Sequence, residues 1–268
     1  MINSCKERFL EDNNDALSKK IKTIYRKLFY NQKNDDVVFN QINKLEKLLL
    51  DINFSKNDER KILNFSLNTN MVPFFQKIYE KHETNLENKF AEKILLNSKE
   101  KISNYHLYNR FNTLIQNEIK LANISSKDNL LFIGSGSFPI SAILFENYLN
   151  CNISCYDKNL VAVKKSKEVL KKMNLDEKIN VYNKDGCNLN ENNYDVIVLA
   201  LLSKPKKELL HKIKPLLNYD TKLICRTSDV LREFFYEKTP IEELKKYNVV
   251  DKTYAKYDQT ISSILLKK

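Results

Sequence analysis

Leu130-Leu131-Phe132-Ile133-Gly134-Ser135-Gly136-Ser137-Phe138-Pro139 decides the fold. Four apolar residues read as a short strand that runs straight into a loop, and the loop holds two of the chain's three glycines. A glycine-poor chain places glycine where the backbone must turn tightly or let a ligand come close. Pro139 then suits the first turn of a following helix, where a missing N–H costs nothing. Strand, glycine loop and helix in that order begin a βαβ unit.

Downstream, the pattern repeats. Strands are expected at Leu130–Ile133, Ile153–Tyr156, Ile179–Tyr182, Asp195–Leu199 and Lys222–Arg226, with helical stretches near 139–149, 159–173, 204–217 and 229–236. Such alternation implies crossover connections and a parallel sheet. Val249–Lys256 and Thr260–Leu266, separated by Tyr257-Asp258-Gln259, suggest a closing antiparallel hairpin. Upstream, residues 1 to about 125 hold no glycine and one proline, Pro73. Leu17, Ile21, Ile24 and Leu28 recur at helical spacing, as do Val38, Ile42, Leu45 and Leu49, and further helices are expected through 72–97 and 103–122. The expected architecture is an all-helical domain over 1–125, followed by a Rossmann-like α/β domain over 126–268. Its boundary falls near Ser125-Ser126-Lys127-Asp128.

In an open parallel sheet, ligands bind beyond the carboxyl ends of the strands at the topological switch point. A GxG after a strand is shared by dinucleotide and adenosyl-ligand folds. A dinucleotide fingerprint would place a third small residue at position 139, and this chain has Pro139. The second strand ends in Tyr156-Asp157, a carboxylate 23 residues after Gly134 and placed to accept ribose hydroxyls. The third ends in Lys184-Asp185-Gly186, where an acid can meet an adenine amino group. The combination favours S-adenosylmethionine over NAD, and the competing reading is that these acids only cap loops. The cofactor set is therefore Gly134, Ser135, Gly136, Pro139, Asp157, Asp185 and Gly186, with Ala200 after the fourth strand.

A sulfonium offers three carbons to attack, and the fold alone does not choose among them. Ala200-Leu201-Leu202-Ser203-Lys204-Pro205 lacks the Pro-Pro-aromatic tetrad of nucleic-acid amino-methylating enzymes, and no Pro-Cys pair exists to attack a cytosine. Methyl transfer to a small molecule or RNA stays open, as does a regulatory module that binds S-adenosylmethionine without turnover.

Several separated segments resemble the nicotianamine synthase family and the related aminobutanoyltransferases of staphylopine-type opine metallophores. Residues 132–141 are similar to F-I/V-G-S/G-G-P-L-P-L-T, and Asp195–Leu201 to D-V-V/L-x-x-A-A-L, with Lys204-Pro205-Lys206 near an archaeal E-P-K. Cys225-Arg226-Thr227 with Phe235-Tyr236 resembles x-R-T/S…L-Y, and residues 260–266 resemble I-N-S-V-V-V. The resemblance thins out before residue 72. It implies attack by an amine on the γ-carbon of the cofactor's amino-acid arm, with release of 5′-methylthioadenosine, in metallophore biosynthesis.

By the same resemblance, which matches a Leu-Glu pair on a helix, the base is Glu87 in Leu86-Glu87. A positioned carboxylate of suitable pKa can take the amine's proton. Tyr105-His106-Leu107-Tyr108-Asn109-Arg110-Phe111 with Asn117-Glu118 resembles an archaeal Y-P-R-Y…N-E segment, but Phe111 stands where the second tyrosine is expected. Tyr108 is assigned the catalytic role in its place, with Tyr105 as the other candidate. Tyr105, Arg110, Arg226 and Tyr236 are the candidate substrate contacts, the two arginines as bidentate forks for a carboxylate.

Composition narrows the class. The chain of 268 residues is 42% hydrophobic and 29% charged, no segment approaches a membrane span, and no signal peptide precedes the first helix, so a cytoplasmic enzyme is expected. A net charge of +11 and a pI near 9.2 raise a nucleic-acid partner. Lysines alternate with acids and asparagines without a basic run, which argues against one. Cys5, Cys151, Cys155, Cys187 and Cys225 form no CxxC pair and read as reduced thiols. With only His82, His106 and His211 besides, no catalytic metal is expected. The acceptor amino acid and the oligomeric state, a homodimer included, are left open.

Overall fold

The computed structural model describes residues 2–50, 54–97, 99–190 and 193–268, apart from the side chains of 2–15 and 68. The Cys5 thiol named above lies outside the described residues. The chain divides into two compact units, one of residues up to 82 with 228–237 and 256–258, the other of 83–227, 238–255 and 259–268.

The first unit is helical. It holds α1 (Ile2–Tyr30), α2 (Asp35–Leu50), α3 (Lys56–Asn68) and the start of α4 (Met71–Leu96). Both apolar stripes read from the sequence, Leu17 to Leu28 and Val38 to Leu49, are buried at every named position. The sequence reading missed α3, whose buried apolar positions reduce to Ile62 and Leu63. Its start is set instead by Ser55, whose hydroxyl takes the Asp58 N–H at 3.2 Å. Buried Tyr79 donates to Glu46 Oε1 at 2.5 Å.

A helix was expected near 229–236. The structure has a five-residue 3₁₀ turn at Val230–Phe234 instead, and it belongs to this first unit. Val230 takes φ 43°, a left-handed value that a β-branched residue adopts at a cost and that interrupts a regular helix.

The second unit is an open α/β sheet. Its strands are β1 (Leu130–Ile133), β2 (Ile153–Asp157), β3 (Ile179–Asn183), β4 (Val196–Leu199), β5 (Lys222–Thr227), β6 (Asn248–Thr253) and β7 (Ser262–Lys267). They lie in the order β3-β2-β1-β4-β5-β7-β6. The first five pair in parallel, with Leu130 opposite both Ile153 and Val196. β7 joins β5 antiparallel and pairs with β6 as the expected hairpin. β6, on the edge, is exposed along most of its length, whereas β7 is buried.

Side-chain alternation sorts the strands into two cores. Leu130 and Phe132 join Ile143 and Phe145 of α6 (Ile140–Leu149) and Val169 and Leu170 of α7 (Leu160–Lys172). Leu131 and Ile133 face Leu209, Leu210 and Ile213 of α8 (Lys206–Ile213) on the other side. The sheet is therefore wound with helices on both faces, and β1 and β4 are neighbours whose connections leave toward opposite faces. That is the switch point, and the glycine loop leaves β1 there.

Compactness does not divide the chain at 125/126, where the type of element changes. Leu86, Phe90, Ala91 and Ile94 of α4, with Ile115 and Ala122 of α5 (Tyr108–Ala122), pack into the sheet's core. The helices that read as one bundle thus part inside α4, between His82 and Glu83. Among the described residues no helix is long and apolar enough to cross a membrane.

Candidate active site

The loop after β1 is held closely from three sides. Gly134 donates its N–H to the Tyr156 carbonyl at 2.7 Å, while the Ile133 carbonyl takes the Ala200 N–H at 3.0 Å and the Ser203 hydroxyl at 2.6 Å. Gly134 and Gly136 adopt φ of 88° and 70°. A Cβ at Gly134 would stand 2.2 Å from Ser203 Oγ, and one at Gly136 2.4 Å from Glu87 Oε2. Both glycines are thus required by backbone conformation and by close approach. Gly186 is required by packing alone: a Cβ there would meet Ile133 Cγ2 at 2.6 Å. Pro139 stands just before α6, and its carbonyl takes the Ile143 N–H as the first helical bond.

Acidic side chains gather on this loop. Asp157 Oδ2 accepts the Gly136 N–H at 2.8 Å, and its Oδ1 accepts the Asn159 N–H at 2.8 Å. Each oxygen keeps a further lone pair, so capping the loop does not exhaust the carboxylate. Asp185 caps the short turn at Gly186–Asn188 through the Cys187 N–H at 2.9 Å. It also lines a cleft of about 80 Å³ with Gly134, Asp157, Lys158, Gly186 and Ser203. A wider cleft of about 440 Å³ adjoins it through shared Tyr156, Lys184 and Asp185.

Glu87 reaches the same loop from α4. It is partly accessible yet densely surrounded by protein, and this burial pushes its carboxyl well above the ordinary value near 4.5. The charges of Glu83 and Asp157 push the same way, against a hydrogen bond from the Ser137 backbone. Tyr105 is 3% exposed, with its ring against Phe90 and Phe138 at 5.2 Å each. Burial, and then the charges of Glu87 and Glu83, push its hydroxyl well up. The hydroxyls of Tyr105 and Ser137 are buried without a protein hydrogen-bond partner. Orphan polar atoms of this kind, beside a cradle that admits no Cβ, fit a polar ligand laid on the loop.

Arg226 is not a carboxylate fork for a substrate. It is 2% exposed, and its Nε and Nη2 donate to Glu118 at 2.9 and 2.8 Å. Nη1 donates to Ser141 Oγ at 3.0 Å, and the guanidinium lies 5.0 Å from the Phe132 ring centre. Ser263 adds a hydrogen bond to Glu118 at 2.6 Å. Every guanidinium nitrogen is thus engaged inside the protein. Tyr236 is likewise 2% exposed, its ring edge-on to Tyr79 within the first unit. Tyr108 and Arg110 are half-buried in the first turn of α5, and Tyr108 packs against the core.

Sequence reading gave no role to Glu83 or Ser203, and it matched Glu118 to the N-E motif without its pairing to Arg226. For Glu83 a signal was present: it lies four residues before Glu87, the spacing of neighbours on one helix face. Burial pushes the thiols of Cys155 and Cys225 up and that of Cys187 up to about 11, so none is a ready nucleophile at neutral pH.

The chain is similar to several known proteins. The L-histidine 2-aminobutanoyltransferase of Yersinia pestis is 27% identical over 125 residues, which is 47% of this chain and 47% of that protein. The chain thus matches about half the length of this curated relative. A glutamate-to-glutamine variant of MtNAS in complex with S-adenosylmethionine superposes with a TM-score of 0.85 at 20% identity, covering 94% of this chain and 97% of that one. MtNAS in complex with MTA and tNA gives 0.85 at 18% identity, over 96% and 97%. These structures share the fold. The nicotianamine synthase protein family matches residues 10–268, nearly the whole sequence, and the chain belongs to that family.

Proposed function

We propose that this protein transfers the 3-amino-3-carboxypropyl group of S-adenosylmethionine to the amine of an amino acid and releases 5′-methylthioadenosine. The observation that carries this reading is Glu87, a carboxylate of raised pKa pressed against Gly136 of the glycine loop. The family supports it, as does the aminobutanoyltransferase named for the Yersinia relative.

When bound, S-adenosylmethionine supplies an electrophilic γ-carbon and a neutral thioether leaving group. Gly134, Ser135, Gly136 and Pro139 would carry the nucleoside end, with Asp157 directed to the ribose and Asp185 to the base. Gly186, which lines the cleft, and Ala200, beside Gly134, would complete the cofactor set. Glu87 takes the proton from the acceptor amine, its raised pKa making it a stronger proton acceptor than an ordinary carboxylate. Of the two tyrosines considered, Tyr105 is better placed than Tyr108 to act beside Glu87, since its hydroxyl lies within the electrostatic reach of that carboxylate. Arg110 remains the candidate contact for a substrate carboxylate.

Product analysis tests the proposal. Incubation with S-adenosylmethionine and a pool of amino acids is expected to release methylthioadenosine and to consume one acceptor. Release of S-adenosylhomocysteine would instead mark a methyltransferase, and binding without turnover a regulatory module.

A further inference from the structure

Arg226 touches no ligand in the scheme above, yet its buried contacts bracket the glycine loop. Its side chain leaves β5 on the face that carries Ile224, the face that also carries Phe132 of β1. The guanidinium lies 5.0 Å from the Phe132 ring centre, two residues before Gly134. Nη1 donates to Ser141 Oγ at 3.0 Å, five residues after Gly136. One side chain thus meets both the strand that enters the loop and the helix that leaves it. That helix, α6, starts behind Pro139 without a side-chain cap hydrogen bond, and proline brings no N–H of its own. The bond from Arg226 is therefore a side-chain tether on its first turn. Glu118 fixes the remaining guanidinium nitrogens at 2.9 and 2.8 Å, so the arginine is itself held in place. Ser263 joins the same network at Glu118 Oε1, 2.6 Å away, from β7 on the side of β5 opposite β1.

We infer that Arg226 is a positioning residue for the cofactor loop: by holding Phe132 and Ser141 together it fixes the loop's entry relative to its exit, and so raises affinity for S-adenosylmethionine without touching it. The inference rests on the reading that S-adenosylmethionine lies on this loop. Gly134 and Gly136 give the loop its left-handed turns, and glycine has more backbone freedom to lose on ordering than any other residue. Anchoring both ends of such a loop in advance lowers the ordering cost that a ligand must meet when it binds. The loop carries the nucleoside rather than the reacting carbon, so this contribution is the same before and during the chemical step. Its loss is then expected in KM for the cofactor and not in kcat.

Two serine variants of the full chain separate positioning from plain stability. Ser141→Ala cuts the tether at the loop's exit and leaves the Arg226–Glu118 pair intact. Ser263→Ala takes one hydroxyl from the same network on the far side of β5. Each removes a hydrogen bond to a charged group, so both are expected to lower the thermal midpoint. Only Ser141→Ala is expected to weaken S-adenosylmethionine binding in calorimetric titration, by about three- to tenfold, the size of one net hydrogen bond. Its KM for the cofactor should rise by a similar factor while kcat at saturating cofactor stays near the native value. Ser141→Thr keeps a hydroxyl, and threonine stands at the matching place in the family's loop, so this variant should bind as the native protein does. Equal effects of the two alanine variants on affinity overturn the inference, as does native affinity in Ser141→Ala. A threonine variant that binds as weakly as the alanine one overturns it too. Absence of S-adenosylmethionine binding by the native protein contradicts the functional reading itself.

Discussion

Glu87 is a carboxyl whose protonation is governed by its neighbours, and its two consequences are separable. In catalysis, Glu87→Gln removes the proposed base while leaving the glycine loop in place. The transfer rate is expected to fall by about 10²–10⁴, the usual contribution of general base catalysis, with S-adenosylmethionine affinity nearly unchanged. Loss of that affinity in the variant would move Glu87 out of the base role. In stability, the folded protein holds the Glu87 proton above the ordinary value near 4.5, whereas the unfolded chain releases it there. Between 4.5 and the raised folded value the native state binds more protons, so this group's contribution to stability falls as pH rises through that window. The glutamine variant should therefore be more stable than the native protein above the window and lose that advantage below it. Denaturant midpoints measured over a series of pH values rising from below 4.5 check this, and parallel curves for the two proteins contradict it. Gly136→Ala brings a Cβ to 2.4 Å from Glu87 Oε2 at a φ of 70°. The left-handed backbone alone costs about 1–2 kcal/mol. A lowered thermal midpoint together with weakened S-adenosylmethionine binding is the expected result. The glycines and Asp157 were legible in the sequence because each follows a strand end. Glu83 was not, because two acids on a charged helix look like a solvated face until the helix is seen to bury them.

At the scale of elements, the parallel strands were read almost to their ends, since short apolar runs between helices leave little choice of register. What escaped were features set by side-chain pairing at long range. Arg226 and Glu118 lie 108 residues apart and meet as a buried ion pair that joins β5 to α5. Ser141 ties the pair to the first turn of α6, and Ser263 ties it to β7. From sequence alone an arginine after a strand suggests a substrate fork, because nothing local reveals its partner. Removing one member strands a buried charge. Arg226→Met and Glu118→Gln are each expected to cost about 3–5 kcal/mol in denaturant unfolding. The double replacement Arg226→Met with Glu118→Leu should cost clearly less than the sum of the single losses, because no charge is left unpaired. Additive losses would show that the pair is not coupled. The missed helix α3 and the 3₁₀ turn at Val230–Phe234 have simpler origins, a thin apolar stripe in one and a left-handed residue in the other.

Across the whole molecule, the sheet order and the glycine loop at its switch point explain where a nucleoside would lie. They leave the choice of reacting carbon to the residues that α4 brings to the loop. That second contribution was legible only through resemblance, since Glu87 and Gly136 lie 49 positions apart in the sequence. The compact unit that holds them begins at Glu83, inside a helix that the sequence assigned wholly to another domain. The central claim is that this site opens the bond between sulfur and the γ-carbon, not the bond to the methyl group. Separating the nucleosides formed from S-adenosylmethionine and amino acids tests it most directly. Methylthioadenosine, appearing with the native protein and lost with Glu87→Gln, is the result predicted; S-adenosylhomocysteine as the nucleoside product would contradict it.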